Sequence, residues 1–240
     1  MENKNPKKAT IKEKKAKKDS LSFKVTKKGK RILPFMAALR FLVLPILYLV
    51  KPFRMYGNRK IKDGACVYIS NHYAMFDIAY PICTTWEGIH YVCKRVLTEI
   101  PVVGWVVRKM KPIPVSRDGN DVRALLDCFK CLKNGEKVAL FPEGTRNKTD
   151  AEMLPFKHGA AVMAIRTKTP VVPIMIYNKP KFFRVTHVLV GDPIELSEYY
   201  DKKLTDEEYR EADNKLYEHM LKMRADHKAY LESKKNKKKA

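Results

Sequence analysis

Short apolar runs alternate with helical patterns along the middle of the chain. Runs rich in β-branched and aromatic residues predict buried strands, and they cover 65–70, 89–93, 111–116, 137–141, 170–177 and 185–191. The clearest helical pattern, 121–134, places Leu125 and Phe129 on one face and ends before Gly135. Strands alternating with helices predict an α/β fold with a mostly parallel central sheet flanked by helices.

The carboxyl end of the chain predicts one amphipathic helix over 201–233, followed by a basic tail at 234–240. Thr205 precedes Glu208 by three positions, which is the signature of a capping box. Apolar or aromatic residues then recur at intervals of three and four, a spacing typical of a surface helix. They are Tyr209, Ala212, Leu216, Met220 and Met223.

The most hydrophobic stretch, 32–50, predicts an N-terminal membrane-associated helix or helical hairpin within 32–58. Arg40 near its centre costs about 2.5–3.5 kcal/mol in a spanning helix, and two prolines weaken the helix. We therefore favour a helix or hairpin lying in one leaflet over a true span. The basic residues that would then reach lipid phosphates are Arg40, Lys51 and Arg54.

The chain is strongly basic, with 49 Lys and Arg against 26 Asp and Glu and a formal net charge of +23. Much of the excess lies in 4–31, so we predict a disordered polybasic tail over 1–31. Basic residues beside an apolar segment favour binding to an anionic membrane surface, although a tail that serves only solubility is the alternative. Aromatic residues do not interleave with the basic runs, so no nucleic acid partner is expected.

Length and cysteine usage bound the remaining possibilities. With 240 residues and 45% hydrophobic content, the chain can form one compact domain, placed at 59–200. Five scattered cysteines, an odd number, do not make a disulfide framework and indicate a reducing compartment. Cys128 and Cys131 lie within a helical pattern without a second ligand pair, so they are interpreted as packing residues and no metal is expected.

Two polar segments follow predicted strands and carry candidate chemistry. In NHYAMFD, His72 and Asp77 lie in a turn before a helix predicted to begin near Met75. A carboxylate bonded to one ring nitrogen makes the other nitrogen a general base for an alcohol. In FPEGTRN, at 141–147, Arg146 offers a fork suited to phosphate. A solvated turn in which Glu143 pairs with Arg146 is the alternative for this second segment.

Together, NHYAMFD and FPEGTRN resemble the signature of the glycerolipid acyltransferases, and most closely the 1-acyl-sn-glycerol-3-phosphate acyltransferase family. Two further blocks agree and stand in the same order: 94–104, leading to Arg117, and 155–164, followed by 169–174. The resemblance covers residues 60 to 195 and excludes both basic tails. It implies a glycerolipid acyltransferase-like fold.

The resemblance also implies a mechanism. His72 would take the proton from the acceptor hydroxyl, Asp77 would orient His72, and the alkoxide would attack the acyl thioester directly. The sequence contains no G-x-S-x-G turn for an activated serine, which agrees with transfer without an acyl-enzyme. Donors to the tetrahedral oxyanion are left open between backbone amides near Lys94 and those of the Gly144 turn.

The implied substrate-binding residues surround the acceptor phosphate. Arg146 would bind that phosphate, and Glu143 would hold Arg146 or the glycerol backbone. The full set is Glu143, Gly144, Thr145, Arg146, Lys94, Arg117 and Lys157. For Arg117 and Lys157, an ordinary surface charge is the alternative. This chain also departs from the family, which often has Ser where Ala74 stands, and the departure bears on acceptor preference.

The expected reaction moves a fatty acyl group from acyl-CoA or acyl carrier protein to the sn-2 hydroxyl of 1-acyl-glycerol 3-phosphate. Its product would be phosphatidic acid, made at the cytoplasmic face of the membrane by a peripheral or monotopic enzyme without a further cofactor. Glycerol 3-phosphate or another lysophospholipid is the alternative acceptor. A non-enzymatic polybasic protein that binds membranes or nucleic acid is the alternative of a different class.

Overall fold

The computed structural model describes residues 34–58, 61, 64–116, 121–157 and 159–237. The predicted polybasic tail at 1–31 and the candidate phosphate ligand Arg117 lie outside these residues.

A seven-stranded sheet forms the centre of the molecule, in the order β1-β7-β6-β2-β5-β3-β4. All neighbouring strands are parallel except β6 and β7, which are antiparallel, so the prediction of a mostly parallel sheet is confirmed. The strands are β1 (Phe53–Gly57), β2 (Cys66–Ser70), β3 (Ile89–Lys94), β4 (Ile113–Val115), β5 (Lys137–Leu140), β6 (Val171–Ile176) and β7 (Thr186–Val190).

Strand β1 corrects the sequence analysis, which placed 53–57 in a membrane-associated helical segment. Phe53 and Met55 are partly buried against the core while Arg54 is exposed, an alternation typical of a strand. The short alternation directly follows a long apolar run, which concealed it. Because β1 pairs with β7, the folded domain begins at β1 rather than at residue 59.

The helices are α1 (Pro34–Ala38), α2 (Leu44–Val50), α3 (Ala79–Ile82), α4 (Val103–Lys109), α5 (Val122–Lys133), α6 (Ala160–Thr167) and α7 (Asp206–Lys237). A π-helical turn, Leu39–Val43, joins α1 to α2. Short 3-10 segments occupy Met75–Ile78, Arg95–Thr98 and Ser197–Tyr199. Helix α7 extends four residues into the predicted basic tail.

Alternate side chains of β2 feed two cores, one on each face of the sheet. Val67 and Ile69 pack with α5, α6 and α7, whereas Tyr68 packs with α1, α2, α3 and α4 on the opposite face. Helices therefore flank both faces of the sheet, as the alternating pattern predicts.

Side-chain hydrogen bonds mark the starts of α5 and α7, and the second of them is the predicted capping box. The Asp121 side chain caps α5 by accepting from the Ala124 amide at 3.1 Å. At the start of α7, the Thr205 amide donates to Glu208 at 2.7 Å, and the Glu208 amide donates to the Thr205 hydroxyl at 3.2 Å. This reciprocal pair is the capping box.

The amino-terminal helical stretch lies against the domain through Phe35 and Leu44. None of the helices in the described part of the chain combines the length and apolar character needed to cross a bilayer. Arg40, which the sequence analysis expected to reach lipid phosphates, has partners within the folded chain. Its guanidinium donates to the Thr85 carbonyl and lies 4.1 Å from the ring centroid of Trp86.

Candidate active site

The candidate residues gather at the carboxyl edge of the parallel strands. His72 follows β2, the 141–147 segment follows β5, and Lys94 ends β3, which pairs with β5. The carboxyl ends of parallel strands form the ligand-binding edge in open α/β sheets. Three of the four blocks behind the resemblance therefore begin at this edge, at the ends of the neighbouring strands β2, β5 and β3.

Asn71 fixes the chain as it leaves β2. Its side-chain oxygen accepts from the Ile176 amide at 2.7 Å, and its side-chain nitrogen donates to the Ile176 carbonyl at 2.9 Å. The buried Asn71 side chain therefore extends the pairing of β2 with β6 by two further hydrogen bonds. This anchor sets the position at which His72 enters the site.

His72 and Asp77 lie in hydrogen-bonding contact. Nδ1 of His72 is 3.0 Å from Oδ2 of Asp77, and the same oxygen accepts from the amides of Tyr73 at 2.6 Å and Ala74 at 2.7 Å. Asp77 is fully buried, whereas His72 keeps 18% of its side chain exposed. With Nδ1 donating to the carboxylate, the neutral ring carries its lone pair on Nε2 and can accept a proton there.

Ala74 contributes through its backbone. Its amide donates to Asp77 from the residue just before the 3-10 segment Met75–Ile78. Any residue except proline supplies that amide, so the carboxylate is held without the serine hydroxyl that the family often has there.

The ring of Phe141 stacks on His72, with 4.0 Å between ring centroids and 17° between planes. Phe141 directly follows β5, so the sheet holds the aromatic ring against the imidazole. Sequence reasoning included Phe141 only as part of its segment. The signal that could have identified it is an aromatic residue at the end of a strand that neighbours β2.

Glu143, which the resemblance implies would hold Arg146 or the glycerol backbone, binds two backbone amides in the structure. One carboxylate oxygen accepts from the His72 amide at 2.8 Å, and the other accepts from the Leu154 amide at 3.0 Å. The side chain is only 2% exposed. Burial raises the pKa of Glu143 to about 7, although these two amides oppose the shift. Glu143 therefore holds the backbone that carries the histidine.

Asn147 joins the two motifs and was not identified from the sequence. Its backbone amide donates to the His72 carbonyl at 2.6 Å. Its side chain donates to the Ala151 carbonyl at 2.8 Å and accepts from the Thr149 amide at 2.9 Å, which closes the loop after the turn. Arg146, one residue earlier, is consequently held beside the histidine backbone.

The Gly144 turn brings Lys157 to the same place. Gly144 has a φ of +65°, and a Cβ added there would lie 2.8 Å from Cδ of Lys157. The Lys157 amide donates to the Pro142 carbonyl at 2.7 Å. The Gly144 amide already donates to the Phe141 carbonyl at 2.9 Å, so it is committed to the turn.

The other candidate substrate-binding residues are less constrained. Thr145, Arg146 and Lys94 are exposed, and Lys94 directly precedes the 3-10 segment Arg95–Thr98. Arg117 lies outside the described residues. The structure thus places Arg146 and Lys157 at the turn after β5 and Lys94 at the end of β3.

A second cluster of polar groups lies at the amino ends of the strands, away from His72. His90, Cys131 and Glu136 are buried and bring potential metal-ligand atoms within 4.8 Å of one another. Nδ1 of His90 is 2.9 Å from the Lys111 carbonyl oxygen, and its Nε2 lies 3.8 Å from Glu136. No metal is expected from the sequence, where His90 lies far from Cys131 and Glu136; the three residues come together only in the folded chain.

The fold and the site define an α/β protein with an oriented histidine at the ligand-binding edge of its sheet. The family model described as "Acyltransferase" matches residues 52–177. The chain belongs to this acyltransferase family.

Named relatives agree with that assignment. The chain is 39% identical over 128 residues to the chloroplastic 1-acyl-sn-glycerol-3-phosphate acyltransferase BAT2 of Brassica napus, covering 52% of this chain and 36% of the relative. It is 31% identical over 156 residues to the 1-acyl-sn-glycerol-3-phosphate acyltransferase of Pseudomonas aeruginosa, covering 60% of each chain. The matches thus span between about a third and three fifths of these relatives' lengths.

A solved structure supports the fold. The crystal structure of the 1-acyl-sn-glycerophosphate (LPA) acyltransferase PlsC from Thermotoga maritima matches with a TM-score of 0.60. The match covers 80% of each chain at 24% sequence identity. The two proteins therefore share the mostly parallel sheet flanked by helices.

Proposed function

We propose that this protein transfers a fatty acyl group from an acyl thioester to the sn-2 hydroxyl of 1-acyl-glycerol 3-phosphate, giving phosphatidic acid for phospholipid biosynthesis. The observation that carries the proposal is the 3.0 Å contact between His72 and buried Asp77, beside a turn that bears Arg146. Relatives named for this reaction support the choice of substrate.

In the proposed reaction, Nε2 of His72 accepts the hydroxyl proton as the acceptor oxygen attacks the thioester carbonyl carbon. The carbon–sulfur bond then breaks, and the imidazolium returns the proton to the thiolate that leaves. Asp77 stabilises the imidazolium and holds the ring orientation, while Phe141 restricts the ring from one face.

Arg146 is proposed to bind the acceptor phosphate through a charge-assisted, two-pronged contact. Lys157, packed against the Gly144 turn, lies close enough to that turn to add a second positive charge. Lys94 and Arg117 complete the proposed set of phosphate ligands. Gly144 and Thr145 supply the backbone of the turn.

The oxyanion of the tetrahedral intermediate needs positioned donors. Because the Gly144 amide is committed to the Phe141 carbonyl, we favour backbone amides near Lys94 over that amide.

The site is proposed to work at the cytoplasmic face of a membrane, with the protein attached as a peripheral or monotopic enzyme. The stretch from α1 to α2 exposes large apolar side chains, including Phe41, Ile46 and Leu49. These side chains suit insertion among lipid acyl chains. A reporter fused after Val50 is then expected on the same membrane side as the amino terminus, and opposite sides would establish a span.

The experiment that tests the proposal is transfer of labelled acyl groups by detergent-purified protein, offered both acyl-CoA and acyl carrier protein. The acceptors are lysophosphatidic acid, glycerol 3-phosphate and lysophosphatidylcholine. Preferential use of lysophosphatidic acid supports the proposal. Equal use of lysophosphatidylcholine would remove the substrate assignment, and no transfer from either donor would remove the enzymatic one.

A further inference from the structure

The loop between β6 and β7 exposes two adjacent aromatic residues. Phe182 is 64% exposed and Phe183 is 78% exposed, and the basic residues Lys181 and Arg184 flank them. Single exposed apolar residues are ordinary, but a cluster rimmed by charge marks an interaction surface. Neither residue has a part in the proposed chemistry.

The exposed loop is tied to the end of α2. The Phe183 amide donates to the Val50 carbonyl at 2.9 Å, and the Thr186 amide donates to the Pro52 carbonyl at 2.8 Å. Phe183 also has a φ of +56°, a left-handed conformation that bulky residues rarely adopt. The fold therefore holds the aromatic pair outward at a fixed place beside the amino-terminal helices.

Lys51 connects the loop to the catalytic turn. Its Nζ lies 4.4 Å from the ring centroid of Phe182 and 4.6 Å from that of Phe76. Phe76 is half-exposed and directly precedes Asp77. We call Lys51, Phe76, Phe182 and Phe183 the loop patch.

We propose that the loop patch is a second membrane-contact element, which inserts Phe182 and Phe183 into the headgroup region of an anionic bilayer. Aromatic rings beside Lys and Arg side chains suit this region, because the rings enter it while the cations remain at the phosphates. The occupant is a lipid surface rather than a protein because the patch continues from the exposed apolar side chains of α1 and α2 and carries positive charge.

An exposed aromatic residue also lies at the other end of this helical stretch. Trp105 contacts Phe35 edge-on, with 6.0 Å between ring centroids, and is half-exposed. The loop patch lies at Val50, where α2 ends, so aromatic residues flank the stretch at both ends. This arrangement suits a helix that lies along the membrane surface between two contacts.

The proposal deepens the proposed function and depends on it only for the lipid nature of the substrate. With the loop patch seated in the headgroup region, Phe76 would bring the adjacent His72–Asp77 turn to the depth at which lysolipid phosphates lie. The acceptor could then reach the site without leaving the membrane surface.

The test is co-sedimentation of the full chain with vesicles of equal parts phosphatidylcholine and phosphatidylglycerol, in salt high enough to screen the basic amino terminus. The variant is Phe182→Ala with Phe183→Ala. Its matched control is Val122→Ala with Leu126→Ala, an exposed apolar pair on α5 at the opposite face of the sheet. We expect at least about tenfold weaker vesicle binding for the loop pair and no change for the control pair.

The proposal would be overturned if the variant with both loop substitutions bound vesicles as well as the wild type does. It would also be overturned if the loop variant and the control variant lost vesicle binding equally. If the wild type forms a dimer and the loop variant keeps vesicle binding but no longer dimerises, the loop patch would bind a second copy of the chain instead. That result would also overturn the proposal. Reversing both flanking charges, as Lys181→Glu with Arg184→Glu, is measured separately at low ionic strength, where exposed charges are not screened. It is expected to weaken binding to these vesicles but not to vesicles of phosphatidylcholine alone.

A gain of signal provides a second measurement. Tryptophan placed by Phe183→Trp is expected to be quenched by brominated lipid beyond the wild-type level, whereas Leu126→Trp is not. Equal quenching for the two would overturn the proposal. Transfer to a detergent-dispersed acceptor is measured in parallel. Absence of transfer by the wild type would contradict the proposed function, whereas unchanged vesicle binding by the loop pair would contradict the membrane-contact proposal.

Discussion

The backbone amide of Asn147 donates to the carbonyl oxygen of His72 across 2.6 Å. This bond joins the NHYAMFD turn to the FPEGTRN turn, and Glu143 reinforces it by accepting from the His72 amide. The proposed base and the proposed phosphate ligand thus share one hydrogen-bonded backbone. A disturbance of either turn is expected to displace the other.

Asp77→Asn is expected to reduce turnover by about 100-fold to 10,000-fold with a smaller change in KM. The amide oxygen can replace Oδ2, but the added NH2 group would occupy the place of Oδ1, which is buried and makes no hydrogen bond with the described residues. Leaving a buried donor unsatisfied should also cost about 1–3 kcal/mol of stability. Steady-state kinetics and urea unfolding measure the two effects.

The control is Asp226→Asn, which removes a carboxylate from an exposed position on α7. Equal turnover for the two variants would contradict the positioning role of Asp77.

Glu143→Gln is expected to change how stability depends on pH. The pKa of the folded-state carboxyl is raised by burial to about 7 from its ordinary 4.5, so the folded chain binds this proton more tightly than the unfolded chain. The free energy of unfolding should therefore fall as pH rises through this window, by a contribution on the order of 3 kcal/mol. The glutamine variant lacks this contribution.

Urea unfolding at several pH values, followed by circular dichroism, measures the difference. Glu232→Gln, at an exposed position, should keep the wild-type slope. A wild-type slope in Glu143→Gln as well would rule out the raised pKa.

The strand and helix pattern could be read from the sequence because buried strands and amphipathic helices have different apolar periods. The proximity of His72 to Asp77 could also be predicted, since five positions separate them within one turn. Glu143 could not be assigned correctly. Its partner, the His72 amide, is 71 positions away, and only the pairing of β2 with β5 brings the two together.

Arg40 shows the same limit. From the sequence, Arg40 was expected to reach lipid phosphates because apolar residues surround it. Its partners in the folded chain, Thr85 and Trp86, are set by tertiary packing. No local period encodes that contact.

Gly144→Ala is expected to destabilise the protein and to raise the KM for the acceptor. Its left-handed φ disfavours alanine, and the new methyl group would displace the Lys157 side chain. Gly135→Ala is a matched control, because Gly135 has a φ of +78° but nothing within 4 Å of an added Cβ.

Thermal unfolding should show a loss of about 1 kcal/mol for both variants from the backbone conformation alone. Only Gly144→Ala should change KM. A KM change shared by both would disconnect Lys157 from acceptor binding.

Arg146→Ala is expected to raise the KM for lysophosphatidic acid by about 10-fold to 100-fold, the loss of a charge-assisted phosphate contact. Arg210→Ala removes the same charge from an exposed position on α7 and should leave KM unchanged. Kinetics with lysophosphatidic acid across both variants measure the effect. An unchanged KM in Arg146→Ala would place the phosphate elsewhere.

The most direct measurement is the transfer of labelled acyl groups to lysophosphatidic acid by His72→Ala, compared with His219→Ala at an exposed position on α7. We expect His72→Ala to lose at least about 100-fold in turnover while vesicle binding stays unchanged, and His219→Ala to keep wild-type activity. Near-wild-type turnover by His72→Ala would contradict the assignment of the imidazole as the base.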